Sequence, residues 1–95
     1  MAGYIFVLRD TTHDPAGMEA YSKKAWAAAT EKLELVAGSG SFEVLEGSPA
    51  DAVVLLRFPT LADAQEWYDG DAYIEARPLR QAASDCRVLL FEGAS

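Results

Sequence analysis

Apolar residues along the chain recur with a period of two in some stretches and of 3.6 in others, and each switch marks an element. Tyr4 to Arg9 is apolar until its last residue, which predicts a strand covered on both faces. After the turn-like Asp10-Thr11-Thr12-His13, Asp14 stands where a helix cap belongs. Pro15 takes the first helical position, where a missing N–H costs nothing. Met18, Tyr21, Ala25, Ala28, Ala29, Leu33 and Val36 follow at steps of three and four and predict one helix running to about Leu35. Gly38-Ser39-Gly40 should stop it. Ser41 to Glu46 reads as the second strand, and Gly47-Ser48-Pro49 as a turn.

Ala52 to Phe58 predicts a third strand, ended by Pro59. Thr60 and Asp63 resemble a capping box with Asp in place of the usual Glu, and Leu61, Ala64, Trp67 and Tyr68 give the next helical stripe. Gly70 ends this helix. A further helical segment spans about Asp71 to Ala83, with a kink or restart at Pro78, and Arg87 to Glu92 is the last strand. The order β-α-β-β-α-β is the ferredoxin-like α+β arrangement, two helices on one face of an antiparallel four-stranded sheet. A chain of 95 residues fits a single domain, here residues 1–95.

Sorting the strands by parity changes the picture. Tyr4, Phe6 and Leu8 oppose Ile5 and Val7, while Val53 and Leu55 oppose Val54, Leu56 and Phe58. Both faces are apolar, so the helices cover one and the other needs a partner. A sheet-to-sheet homodimer, a dimeric α/β barrel, meets that need.

Composition narrows the classes. Apolar residues make up 51% of the chain and charged residues 24%, which is the balance of a folded domain and not of a disordered one. No apolar run exceeds five residues, against about 20 for a membrane-crossing helix, and no leader-like start precedes them. The expectation is a cytoplasmic protein. A formal charge of -7 repels phosphates, so nucleic acid and anionic membranes are disfavoured as partners. The single Cys86 can form no internal disulfide and reads as an inert thiol.

Phe42-Glu43-Val44-Leu45-Glu46-Gly47, the strand end Val53-Val54-Leu55-Leu56-Arg57-Phe58-Pro59-Thr60, and then Ala64, Trp67, Tyr68, Tyr73 and Arg80 resemble the DUF1330 family in order and spacing. The resemblance covers nearly the whole chain. It implies membership of the dimeric α/β barrel superfamily, whose relatives include cofactor-independent monooxygenases, polyketide cyclases, haem proteins and ligand-binding modules. A shared fold transfers no reaction. Two departures stand out: Arg57 occupies a place where the family usually carries an acidic residue, and the entry to the second strand differs.

Known chemistries are mostly excluded. His13 is the only histidine and no nucleophile-elbow motif is present, which removes a hydrolytic triad. His13 with Asp10 and Asp14 could offer metal ligands, or His13 could serve a haem iron, but a lone His beside a helix start is more often solvated or capping. Gly38-x-Gly40 follows a helix and lacks a Lys-Ser/Thr sequel, so it cradles no phosphate. The expectation is no metal and no cofactor. Glu43 and Glu46 fall on opposite faces of the second strand, where one could pair with Arg57 or Arg87.

The candidates for a ligand site are Tyr21, Trp26, Trp67, Tyr68 and Tyr73 with Arg77 and Arg80, and His13 beside them. The aromatics fit core packing equally well. Arg80, a permanent charge on a sheet-packing helix, needs a carboxylate or a ligand anion beside it, with an ion pair the first expectation. The reading reached is a homodimer binding a small, largely apolar molecule, aromatic or polyketide-like, with cofactor-independent catalysis as its active form. The alternative is a non-catalytic structural or regulatory module.

Overall fold

The computed structural model describes residues 1–38 and 40–94. In chain order the elements are β1 Gly3–Thr12, α1 Pro15–Ala27, β2 Glu34–Ala37, β3 Ala52–Phe58, α2 Leu61–Asp69, α3 Asp71–Ile74, α4 Arg77–Ala83 and β4 Ser84–Glu92. All strand pairs are antiparallel and the sheet order is β2-β3-β1-β4, the ferredoxin-like arrangement. The continuous apolar runs take the two inner positions. Ile5 stands between Leu56 and Leu90 in register, and with Leu56, Phe58 and Ala64 it forms the core under α2.

The first helix is shorter than its stripe predicts. It ends at Ala27, and Glu34–Ala37 pairs with β3 as an edge strand. Leu33, Leu35 and Val36 satisfy a helical step and a strand alternation at once, and the free edge of β3 offers backbone partners that one more helical turn would not. Gly38 therefore follows a strand; Ser39 of the expected Gly-Ser-Gly stop lies outside the described residues.

The second strand is also displaced from its expected place. Residues 41–46 form exposed irregular chain, because β2 already occupies the edge of β3 that this segment would need. Phe42, Val44 and Leu45 are exposed there. Glu43 and Glu46 do not pair with Arg57 or Arg87: Arg57 meets Glu34 across β2 and β3 at 3.4 Å, and Arg87 lies 3.9 Å from Asp10.

The second helical half follows its signals closely. Thr60 caps α2, its Oγ1 accepting from the Asp63 amide at 3.1 Å and donating to the Asp63 carboxylate at 2.9 Å. The Lys32 ammonium, 3.1 Å away, and then that hydroxyl hold the Asp63 carboxyl below the usual carboxylate range. The segment after Gly70 breaks in two, and α4 restarts at Arg77 with Pro78 in its first turn, where the absent N–H is harmless. Asp14 flanks α1 as its N-cap residue without a side-chain capping bond.

Gly3 is held to its identity by close approach. A Cβ there would lie 2.5 Å from the Thr60 carbonyl oxygen and 2.6 Å from Leu61 Cα. Both are backbone atoms at a capped helix start, so the clash can be relieved only by moving α2. Gly3→Ala is expected to cost about 1–3 kcal/mol in chemical denaturation. Gly40→Ala, with nothing within 4 Å of the added carbon, serves as the neutral control.

The sheet face away from the helices remains apolar. Phe6 stands between Leu55 and Leu89, and Tyr4 stacks on Phe91 with ring centroids 5.5 Å apart. Leu89 is 55% exposed.

Candidate functional site

Between sheet and helices lies a cavity of about 170 Å³. Ile5 and Val7 of β1 with Val54 and Leu56 of β3 make its floor, and Met18, Tyr21 and Ala25 of α1 form a wall. Trp67 and Tyr73 contribute from α2 and α3. Trp26, half exposed, stands at the rim. Ile5, Val7 and Arg9 succeed one another on the same side of β1, so Arg9 marks one end of the floor beside its cross-strand partner Cys86. Arg80 of α4 also lines the cavity.

Tyr73 is the hub of the aromatic wall. It is buried, its ring stacks on Trp67 with centroids 4.1 Å apart, and Tyr68 lies 5.4 Å away on another side. Trp67 is fixed by its indole N–H, which donates to the Ala28 carbonyl at 3.1 Å where α1 ends. The Tyr73 hydroxyl sits 2.7 Å from that of Tyr21. Burial, with the neighbouring Tyr73 hydroxyl, pushes the Tyr21 phenol far above its ordinary pKa. It is a neutral donor at any physiological pH.

Arg80 is only 4% exposed, and its position corrects the first expectation for it. Its Nη2 donates to the Tyr68 hydroxyl at 3.4 Å, while Nε has no hydrogen-bond partner. No carboxylate pairs with Arg80 among the described residues. Burial opposes its charge, but the surrounding Tyr73, Cys86 and Tyr21 groups outweigh that and hold its pKa above the ordinary value. The guanidinium is therefore a fixed cation among hydroxyl and thiol groups.

The other candidates fall outside this lining. Tyr68 packs behind it, between Arg80 and Arg77, whose guanidinium carbon lies 4.6 Å from the Tyr68 ring centroid. Arg77 is spent on Asp69, at 3.2 Å, and on the Tyr68 carbonyl. His13 turns to Asp85 at 2.8 Å and Asp10 to Arg87, so the Asp10-His13-Asp14 loop does not converge. No group of three or more His, Cys, Asp or Glu side chains suited to a metal occurs among the described residues. Arg9 and Cys86 were not among the expected site residues. Parity could have found Arg9, since it shares the inward phase of Ile5 and Val7.

The cavity thus offers apolar area, phenol donors, guanidinium groups and the Cys86 thiol, with no histidine or carboxylate among the described residues of its lining. Such a set orients and polarises a carbonyl or anion. It supplies no histidine or carboxylate to abstract a proton.

A four-stranded antiparallel sheet with its helices on one face and an aromatic cavity between them places the molecule in the ferredoxin-like α+β class. The chain belongs to the DUF1330 family, described as a domain of unknown function, whose profile matches residues 2–94. No curated protein matches it in sequence. Among solved structures, a protein of unknown function from Rhodopseudomonas palustris is 20% identical with a TM-score of 0.73, covering 99% of this chain and 83% of its own. A dimeric ferredoxin-like protein of unknown function from Thermobifida fusca is 16% identical with a TM-score of 0.66, covering 96% and 91%. SnoaB, a cofactor-independent oxygenase from Streptomyces nogalater, is likewise 16% identical with a TM-score of 0.66, covering 100% and 96%. At these identities the likeness is one of fold. No helix among the described residues is long and apolar enough to cross a membrane.

Proposed function

We propose that this protein is a homodimer, closed through the open sheet face, that binds a small, largely apolar molecule in the cavity of each subunit. The observation that carries the reading is the cavity itself: an apolar floor and aromatic wall around a few convergent polar groups, the usual make-up of a small-molecule site. Tyr21, Trp26, Trp67, Tyr73 and Arg80 are its contact residues. Tyr68 and Arg77 support Arg80 and the aromatic wall from behind. His13 is left with a structural part, tying the start of α1 to β4 through Asp85.

In its catalytic form the site works as a cofactor-independent enzyme on a substrate that is already acidic. The phenols and Arg80 then stabilise negative charge on a carbonyl oxygen, the kind of effect preorganised donors provide. The oxygenase SnoaB shares the fold and supports this form by analogy only. A lining without a histidine or carboxylate base favours the second reading, a non-catalytic structural or regulatory role.

Native mass spectrometry of the freshly purified protein tests both parts together. The expected spectrum shows twice the chain mass, with an adduct of small-molecule mass that is lost on denaturation. A monomer at micromolar concentration overturns the dimer. A dimer that neither retains nor takes up any small aromatic compound overturns the binding role.

A further inference from the structure

Two guanidinium groups reach the same end of the cavity, and among the described residues neither has a carboxylate partner. Arg80 is 4% exposed with its Nε unpartnered; the Nε of Arg9 is likewise buried without a partner. Cys86 joins them, as the register partner of Arg9 across β1 and β4 and as a neighbour of Arg80. Asp10 and Asp85 share a shallower depression with Arg80, but Arg87 and His13 engage them, the latter at 2.8 Å. The chain carries 15 acidic residues, yet none lines the cavity, so the charge of this spot is opposite to that of the protein as a whole.

We propose that the ligand is a planar carboxylic acid bound as its anion, the carboxylate held by Arg80 and Arg9 and the ring lying on Ile5, Val7 and Val54. This rests on the reading that the cavity holds a small molecule, and adds its charge and size. A buried guanidinium without a carboxylate is costly, and its planar fork matches a carboxylate with two parallel bonds. Tyr21, kept a neutral phenol by burial, adds a donor without adding negative charge, and the Tyr73 hydroxyl lies 2.7 Å from it. A closed apolar cavity of about 150 Å³ admits benzene, and the volume here, about 170 Å³, therefore selects a single ring. A longer substituent leaves past Trp26 at the rim.

Benzoate and the uncharged benzamide, nearly identical in shape, are the probes. Each is titrated into the intact protein while the tryptophan fluorescence is followed, since Trp67 and Trp26 both line the cavity. Benzoate is expected to bind at least about tenfold more tightly than benzamide, the worth of a charge-assisted contact. Arg80→Met and, at the less buried position, Arg9→Gln should each weaken benzoate binding more than benzamide binding and so narrow that preference. Arg9→Gln keeps the test valid if Arg80→Met fails to fold. Equal binding of the two probes overturns the anion proposal and leaves the small-molecule reading standing. Preference for benzoate that survives both substitutions also overturns it, by placing the anion elsewhere. Failure of both probes to bind overturns this proposal, while the reading beneath it stands or falls on the adduct in the native mass spectrum.

Discussion

Phe58→Ala is expected to remove about 3–5 kcal/mol of stability, the usual cost of emptying a fully buried aromatic site. Phe58 is 1% exposed, the inward residue at the end of β3, and its ring lies 5.6 Å from that of Trp67. The void would open directly beneath Trp67, on which Tyr73 stacks, so the aromatic wall loses its support as well as its contacts. The walls around it cannot close easily. Ile5 and Leu56 are locked in the register of the two central strands, and Ala64 is too small to reach in. For a domain this size each kcal/mol moves the melting temperature by about 4–8 °C, so a fall of tens of degrees is expected. Denaturation at one fixed protein concentration measures it, since association would otherwise shift the midpoint. Phe58→Leu, which keeps most of the volume, should cost less than half as much. A loss for Phe58→Ala below about 1 kcal/mol would show that the core sits elsewhere.

Much of this fold can be read from periodicity because β1, β3, β4 and α2 each carry one unambiguous signal. Tyr4 to Leu8 and Ala52 to Leu56 are short apolar runs rich in β-branched and aromatic residues, and they form the two central strands. Thr60 with Asp63 fixes the start of α2 and Gly70 its end. The misplaced second strand has a physical origin. Phe42-Glu43-Val44 alternates as a strand does, yet a strand exists only where an edge is free, and Leu35 had already met Leu56 there. Local pattern contains no information about which of two competing segments reaches an edge first.

The cavity was legible in part for a similar reason. Helical spacing brings Tyr21, Trp67 and Tyr73 to the sheet, and they do meet. What spacing could not disclose is the company of Arg80, because the hydroxyls of Tyr68, Tyr73 and Tyr21 come from three different elements. A buried arginine is ordinarily paired with a carboxylate, and only the tertiary arrangement shows that this one is not. The family resemblance behaved differently from both. Its Phe42 to Gly47 portion lies on exposed chain, so a stretch that carries a family resemblance need not be core.

In the proposed homodimer, Leu89→Lys is expected to separate the subunits while leaving each one folded. Leu89 opposes Phe6 on the face away from the helices and is 55% exposed in the single chain, where a lysine is tolerated within about 0.5 kcal/mol. Packed against a second sheet the same ammonium would be desolvated without a partner, at a cost of about 3–5 kcal/mol. Two-fold symmetry places that cost on both subunits. At roughly 1.4 kcal/mol per tenfold, even one such cost weakens association by two to three orders of magnitude. Light scattering during size-exclusion chromatography reads the change, with thermal unfolding as the check that the subunit is intact. Ile74→Lys is the matched control, an exposed apolar residue on α3 in the helical layer, and should leave the mass at two chains. The contrast matters because the apolar segment around Leu45 is exposed too. If Leu89→Lys remains dimeric with unchanged affinity while Leu45→Lys dissociates, the subunits meet through that segment, and the apolar sheet face must be covered in some other way.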